Sequence, residues 1–145
     1  RVIMEIEFTK EETIKLIEEY YKKLEDRNVK VNITAKKGYT GWRDEEGSVT
    51  TISVSESLEI MGMKKEVKQT ITEDALQTML KALFDLYDFH ITNITINDGL
   101  TSKWEGYGMN EYEVKSAYFN GIKVKIEKKK KLLKKFILKL YRRLI

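Results

Sequence analysis

An internal repeat is the feature of this sequence that most restricts how the chain can fold. Residues 32–42 read NITAKKGYTGW and residues 93–104 read NITINDGLTSKW, so that NIT, Gly, Thr and Trp recur in the same order. The second copy has one extra residue before its Trp. Self-similarity at a period of about 60 residues indicates a supersecondary unit that is used twice. One unit of that length buries little core alone, so we expect the two copies to pack together.

Helical patterns precede both copies at matching positions. Thr9 and Thr72 are the predicted N-caps, and Glu12 would complete a capping box with Thr9. Mostly apolar residues with the spacing of an amphipathic helix follow each cap. They are Thr13, Leu16, Ile17, Tyr20, Tyr21 and Leu24 in the first pattern, and Leu76, Met79, Leu80, Leu83, Phe84 and Tyr87 in the second. We therefore expect helices near residues 10–25 and 73–87.

Segments of alternating polarity follow each helical pattern and predict strands. Met61-Gly62 and Asn120-Gly121 lie between such segments, and Asn-Gly in particular is a strong signal for a type I′ hairpin turn. The matched segments Gly38–Trp42 and Gly99–Trp104 are predicted to be loops that follow a strand. Each half of the chain thus reads helix, strand, strand, strand.

These patterns predict an α+β fold in which tandem duplicated helix-strand-strand-strand units form antiparallel sheet with helices on one face. We expect a single domain over residues 1–145, with repeat one at 8–71, repeat two at 71–127 and a C-terminal helix at 128–145. The alternation fits one shared sheet or two sheets that pack together, because either arrangement leaves each strand with one wet and one covered face.

The C-terminal helix has a charge that sets it apart from the rest of the chain. Residues 128–145 hold seven Lys, two Arg and no acid, whereas the other 127 residues hold 18 basic and 23 acidic side chains. Its apolar stripe consists of Leu133, Phe136, Ile137, Leu140, Tyr141 and Leu144. Its candidate basic residues are Lys131, Lys134, Lys135, Lys139, Arg142 and Arg143. We expect the stripe to pack on its own domain or on a second copy of the chain; binding to another protein, nucleic acid or an anionic membrane are the alternatives.

The sequence contains no pattern that is typical of an enzyme. It has no Cys and a single His, His90, so neither a Cys-based nor a multi-histidine metal site can form. Strand alternation places His90 at the core or its rim, as a structural residue. No phosphate-binding glycine motif or nucleophile elbow is present. We expect no catalytic residue, no metal and no cofactor; an enzyme whose carboxylates converge only in the fold, and a small-ligand binder, are the alternatives.

Aromatic residues in and near the two matched segments are the candidates for partner binding. Exposed Trp and Tyr side chains commonly anchor protein interfaces, which nominates Tyr39, Trp42, Trp104 and Tyr107. For both tryptophans, burial at the end of a sheet is the other interpretation. Tandem helix-plus-sheet repeats also resemble, at the level of fold, duplicated inhibitor and adaptor modules that bind partners on a sheet face.

We therefore expect a non-catalytic regulator, inhibitor or adaptor module that binds another protein, with self-association through the C-terminal helix as a further mode. The alternative is a protein that binds nucleic acid or an anionic membrane through the basic C-terminal helix. No stretch reaches the ~18 apolar residues of a membrane span, and no signal peptide is recognisable, so the expected location is cytoplasmic.

Overall fold

The computed structural model describes residues 3–40 and 45–128, and within them six strands and two α-helices form an α+β fold. The elements in chain order are β1 (Ile3–Phe8), α1 (Lys10–Leu24), β2 (Lys30–Thr40), β3 (Glu45–Ile60), β4 (Met63–Ile71), α2 (Glu73–Asp85), β5 (Phe89–Glu105), a short 3-10 helix (Gly108–Asn110) and β6 (Tyr112–Lys128). The strands make two antiparallel sheets, ordered β2-β3-β4 and β1-β6-β5. The C-terminal helix predicted at 128–145 falls almost wholly outside the described residues.

Both helices begin where their capping residues predict. The Thr9 hydroxyl accepts a hydrogen bond from the Glu12 amide at 3.2 Å, and the Glu12 carboxylate accepts one from the Thr9 amide at 3.0 Å. This reciprocal pair is the capping box. The Thr72 hydroxyl likewise accepts from the Ala75 amide at 3.2 Å and caps α2. The two caps therefore fix the points at which a strand becomes a helix.

One core collects side chains from both helices and both sheets. The helices bury Thr13, Ile17 and Tyr21 from α1, and Leu76, Met79, Leu80, Leu83 and Phe84 from α2. The sheets add Val31, Ile33, Ile52, Val54, Ile71, Ile91, Ile94, Phe119, Ile122, Val124 and Ile126. The Phe8 ring meets the Phe84 ring edge to face at 6.1 Å and so packs the end of β1 against α2. Leu24 and Tyr87, at the ends of the predicted stripes, are exposed.

The β3–β4 hairpin forms at Met61-Gly62, as predicted. Ile60 pairs with Met63, which leaves a two-residue turn between them. Met61 has a φ of 53° and Gly62 a φ of 76°. A type I′ turn requires positive φ at both central residues, and the pair meets this requirement.

The hairpin predicted at Asn120-Gly121 is wrong, because β6 runs unbroken from Tyr112 to Lys128. Gly121 has a φ of 115°, and a Cβ placed there would overlap the carbonyl oxygen of Phe8. The glycine thus permits a local irregularity in β6 and a close approach to β1, in place of a chain reversal. The sheet that contains β5 and β6 takes β1 as its third strand, and β1 pairs with the part of β6 that follows Gly121.

The prediction that Gly38–Trp42 and Gly99–Trp104 are loops is also wrong for their described residues, because strand pairing continues through them. β2 extends to Thr40, and β5 passes through the whole second segment. A Cβ on Gly38 would lie 2.7 Å from Val49 Cγ2, and one on Gly99 would lie 2.8 Å from the Tyr118 hydroxyl. Each glycine therefore makes room for a side chain of the neighbouring strand. A glycine in the sequence is compatible with this role and with a turn, so the sequence alone does not distinguish the two.

The predicted inward position of His90 is wrong as well. The pairing register of β5 shifts between Ile91 and Asn93, and again between Ile96 and Asp98. Such irregularities change the side-chain alternation of a strand. Ile91 is buried, so its neighbour His90 is exposed.

Candidate protein-interaction surface

Side-chain contacts join the far ends of two strand pairs, β2–β3 and β5–β6. Glu46 Oε2 of β3 lies 3.5 Å from Lys115 Nζ of β6. The Thr50 hydroxyl of β3 donates a hydrogen bond of 2.7 Å to the Asp98 carboxylate of β5. Because these contacts cross from one sheet to the other, the two strand pairs end beside each other.

The predicted residues Tyr39 and Trp104 lie on the faces that this contact joins. Tyr39 pairs with Glu46, and Trp104 pairs with Glu113. Opposed residues in an antiparallel ladder share a face, as do residues two apart along a strand. Lys115 therefore shares the face of Trp104, and its ion pair with Glu46 connects that face to the face of Tyr39.

Five large side chains at these strand ends and in the β5–β6 connection are mostly exposed, and we call the region they occupy the hairpin-end surface; Tyr112 pairs with Glu105 and so faces away from Trp104. The exposed fractions are 71% for Tyr39, 65% for Trp104, 93% for Tyr107, 102% for Met109 and 56% for Tyr112. The alternative of a buried tryptophan is therefore wrong for Trp104. The structure thus brings Tyr39, Trp104 and Tyr107 to one region of the molecule.

The connection between β5 and β6 has a defined backbone that presents Tyr107 and Met109. The Asn110 amide donates to the Tyr107 carbonyl at 3.1 Å and closes the short 3-10 helix. Gly106 has a φ of 99°, and a Cβ there would overlap the carbonyl of Asn110. The chain can make this compact turn only because Gly106 has no side chain.

Polar contacts across β5 and β6 lie beside Trp104 on both faces of the strand pair. The Ser102 hydroxyl donates to the Glu113 carboxylate, and the Tyr112 hydroxyl donates to Glu105 Oε2 at 3.3 Å. Aromatic side chains with polar groups around them are the usual composition of a protein interface. The arrangement can therefore offer apolar area together with carboxylates at its edge.

Sequence reasoning did not nominate Met109 or Tyr112 as site residues. Tyr112 alternates with Val114 and Tyr118, which fits a series that faces a core. The alternation does not indicate which part of the strand extends beyond the core, so only the fold identifies Tyr112 as exposed. Met109 follows Gly108, and glycine commonly marks a turn. A large apolar side chain in a turn is a sign of an exposed apolar residue, and this was the available signal for Met109.

Other predicted site residues lie outside the described part of the chain. Trp42 is one of them. The others are the basic candidates Lys131, Lys134, Lys135, Lys139, Arg142 and Arg143. They stay predictions from the sequence.

A small pocket of mixed polarity lies where β3 approaches β5 and α2. It has a volume of about 250 Å³, and Ser48, Thr50, Glu73 and Asp98 contribute its polar groups. The Ser48 hydroxyl oxygen is buried and has no hydrogen-bond partner in the protein. Within residues 3–40 and 45–128 no group of three or more acidic or histidine side chains could hold a metal ion. Over the same residues, neither helix has the length and hydrophobicity to span a membrane.

Displaced pKa values arise at structural contacts of α1 and β1. Burial raises the pKa of Tyr21, whose ring also lies 5.2 Å below the Arg27 guanidinium. The hydrogen bond from Arg27 Nε to Glu56, at 3.1 Å, raises the pKa of that guanidinium. A hydrogen bond to Glu5 raises the pKa of Lys123 and ties β6 to β1. These groups stabilise the junctions between elements.

Comparison with known proteins adds no family or relative to these observations. The chain matches no protein-family model, no curated protein and no solved structure.

Proposed function

We propose that this protein is a non-catalytic module, a regulator, inhibitor or adaptor, that binds another protein through the hairpin-end surface. The observation that carries the proposal is the exposure of five large apolar or aromatic side chains at adjoining strand ends. Tyr and Trp are enriched among the residues that dominate binding energy. A group of exposed apolar side chains with a polar border is a common mark of an interaction site.

The strand pairing at Tyr39 and Trp104 supports the proposal. Tyr39 and Trp104 both lie in paired strands, and the Thr50–Asp98 hydrogen bond holds the two strand pairs together. Ordering side chains and loops on binding costs free energy, and a surface that is already ordered avoids part of that cost.

The charges beside the aromatics indicate the kind of partner. Glu105, Glu111 and Glu113 are exposed near Trp104 and outnumber the exposed Lys103, while Lys115 is engaged by Glu46. Complementary charges at the rim of an interface accelerate association and select the partner. We therefore infer a protein partner with an apolar patch and basic residues around it.

The proposal includes an internal duplication within a single domain over residues 1–145, with β-α-β-β as the unit; the predicted helix-strand-strand-strand unit is wrong, because only two strands follow α2 in the described residues. The support for the duplication is that β1 and β4 each lead into a capped helix that is followed by two long strands. The repeated glycines, Gly38 and Gly99, both lie beneath a cross-strand side chain. A partner or pair of partners could then meet two related strand ends.

The alternative function uses the basic C-terminal segment to bind nucleic acid or an anionic membrane. Its support is the charge of residues 128–145, which hold nine basic side chains and no acidic one. Binding of that kind weakens steeply with salt, because it releases counterions from phosphates or lipid headgroups. Self-association through the same segment is a third mode.

Affinity capture with paired baits tests the proposal. The baits are the full chain, the double variant Trp104→Ala/Tyr107→Ala, and the control Met61→Ala, whose side chain is 92% exposed at the β3–β4 turn. We expect a protein from the source cell that the wild type and the Met61→Ala bait capture and that the double variant loses. Equal capture by all three baits contradicts the proposal, and salt-sensitive capture of nucleic acid or anionic vesicles alone favours the alternative.

A further inference from the structure

An apolar groove lies between the two helices, at the start of β5. Its volume is about 330 Å³, and Leu16, Glu19, Leu83, Phe84, Tyr87 and Phe89 line it. We call it the helix groove. Tyr87 is 53% exposed, and the adjacent Leu86 is 54% exposed. Five of the six lining residues are apolar or aromatic, so the helix groove offers a surface suited to an apolar helix face.

The C-terminal segment leaves the fold directly beside the helix groove. β6 ends at Lys128, and the Cα of Lys128 pairs with that of Phe89, which lines the groove. Opposed residues of an antiparallel pair lie about 4.5–5.5 Å apart and point to the same face. Residues 129–145 therefore start within one strand spacing of the groove, which gives them a high effective concentration there.

The sequence of that segment complements the groove. Its apolar residues recur at helical spacing from Leu133 to Leu144. Seventeen residues in a helix extend about 25 Å, and two packed helix axes lie only about 8–10 Å apart, so the segment is long enough to cross both helices. Residues 128–145 carry nine basic side chains, whereas the rest of the chain has five more acidic than basic ones. Glu19, which lies 3.8 Å from Lys23, adds a carboxylate to the groove itself.

We propose that residues 129–145 fold back as a helix and bind in the helix groove, with the apolar stripe against the groove and the basic side chains outward. The occupant is the chain's own C-terminus, because the tether at Lys128 and the apolar pattern both favour it. This inference is independent of the hairpin-end surface.

The docked arrangement has a consequence for the alternative function. A stripe that is buried in the helix groove is not available for insertion among lipid chains. The outward basic face would still attract phosphates, so such binding would depend on charge and not on apolar insertion.

Paramagnetic relaxation tests the docking in the full chain. The sequence has no Cys, so an introduced cysteine carries the only nitroxide label. Leu86→Cys places the label beside the groove without replacing a lining residue. Met109→Cys is the control, because its side chain is fully exposed and lies beyond the opposite end of β5, which has 17 residues at about 3.3 Å each. We expect the label at residue 86 to reduce the amide signals of residues 133–144 at least twofold and the label at 109 to leave them unchanged.

Two further samples separate docking from its competitors. Mixing isotope-labelled protein with unlabelled protein that carries the nitroxide at residue 86 should leave the signals of 133–144 intact. Loss of signal in that mixture means that a second copy fills the groove and overturns the proposal. Leu140→Asp added to Leu86→Cys should restore the signals, because it places a charge in the apolar stripe. Persistent signal loss in that variant, or no loss from residue 86 at all, also overturns it.

Discussion

The Thr50 hydroxyl donates a hydrogen bond of 2.7 Å to the Asp98 carboxylate, and so connects β3 of one sheet to β5 of the other. Both residues belong to the strand pairs that carry the hairpin-end surface. The Glu46–Lys115 ion pair lies farther out, and both of its side chains are more than a third exposed. A hydrogen bond to a charged group contributes more than an exposed ion pair, so Thr50–Asp98 is the stronger of the two connections.

Replacement of Thr50 should show how much the Thr50–Asp98 hydrogen bond contributes to the free energy of unfolding. Thr50→Val removes the donor and leaves the Asp98 carboxylate without it, which should lower the free energy of unfolding by about 1.5–3 kcal/mol. The control is Thr51→Val, an exposed threonine on the same strand, for which we expect a change within about 0.5 kcal/mol. Urea unfolding measures both changes. Equal stability of the two variants would show that the hydrogen bond contributes nothing.

Gly121 should tolerate a side chain far less well than Gly62 does. Both have positive φ, which costs an L-residue about 1–2 kcal/mol. Nothing lies within 4 Å of a Cβ at Gly62, whereas a Cβ at Gly121 would overlap the Phe8 carbonyl. We expect Gly121→Ala to destabilise the protein at least twice as much as Gly62→Ala in thermal unfolding. Similar melting temperatures for the two variants would mean that β1 does not pass close to β6 at Gly121.

The sequence predicts best those elements whose signals are local. Thr9 and Thr72 start the helices because a cap depends on residues within one turn. The Met61-Gly62 turn is likewise set by its own two residues and the strands beside it. These predictions are confirmed because no distant contact competes with the local preference.

The errors at Asn120-Gly121, Gly38 and Gly99 have one physical cause. Glycine permits both a tight turn and a close approach of another chain segment, and only the fold decides which occurs. At Gly121 the approaching segment is β1, which is more than 100 residues away in sequence. For the same reason the exposure of Trp104 depends on how far β5 and β6 extend past the core.

Alkaline pH should reveal the buried phenol of Tyr21. Burial raises the pKa of Tyr21 above its ordinary value of 10.0; nearby Glu25 adds to this rise, and Arg27 opposes it. The folded state therefore holds the proton more tightly than the unfolded chain does. The resulting stability is fully present below pH 10 and is lost as the pH rises through the raised pKa.

The measurement is the free energy of unfolding across that alkaline range. Tyr21→Phe should flatten the fall in stability, because the variant has no phenol at this position to ionise. Tyr107→Phe, which changes a side chain that is 93% exposed, should follow the wild type. If the free energy of unfolding of Tyr21→Phe falls with pH as steeply as that of the wild type, the alkaline loss of stability does not arise from Tyr21.

Trp104 fluorescence should report an exposed indole in the free protein. The sequence has two tryptophans, so Trp42→Phe leaves Trp104 as the only indole emitter. With 65% of Trp104 exposed, we expect red-shifted emission and efficient quenching by iodide or acrylamide. Blue-shifted emission that resists both quenchers would place the ring in a core and remove Trp104 from the hairpin-end surface.

Equilibrium binding of the captured protein to wild type and single variants tests the account most directly. Exposed aromatic anchors contribute about 2 kcal/mol or more to an interface, which corresponds to roughly a 30-fold change in Kd. We predict that Trp104→Ala and Tyr107→Ala each weaken binding by that order while the melting temperature stays that of the wild type, and that Met61→Ala changes neither quantity. An unchanged Kd in both aromatic variants would contradict the assignment of the hairpin-end surface as the binding site.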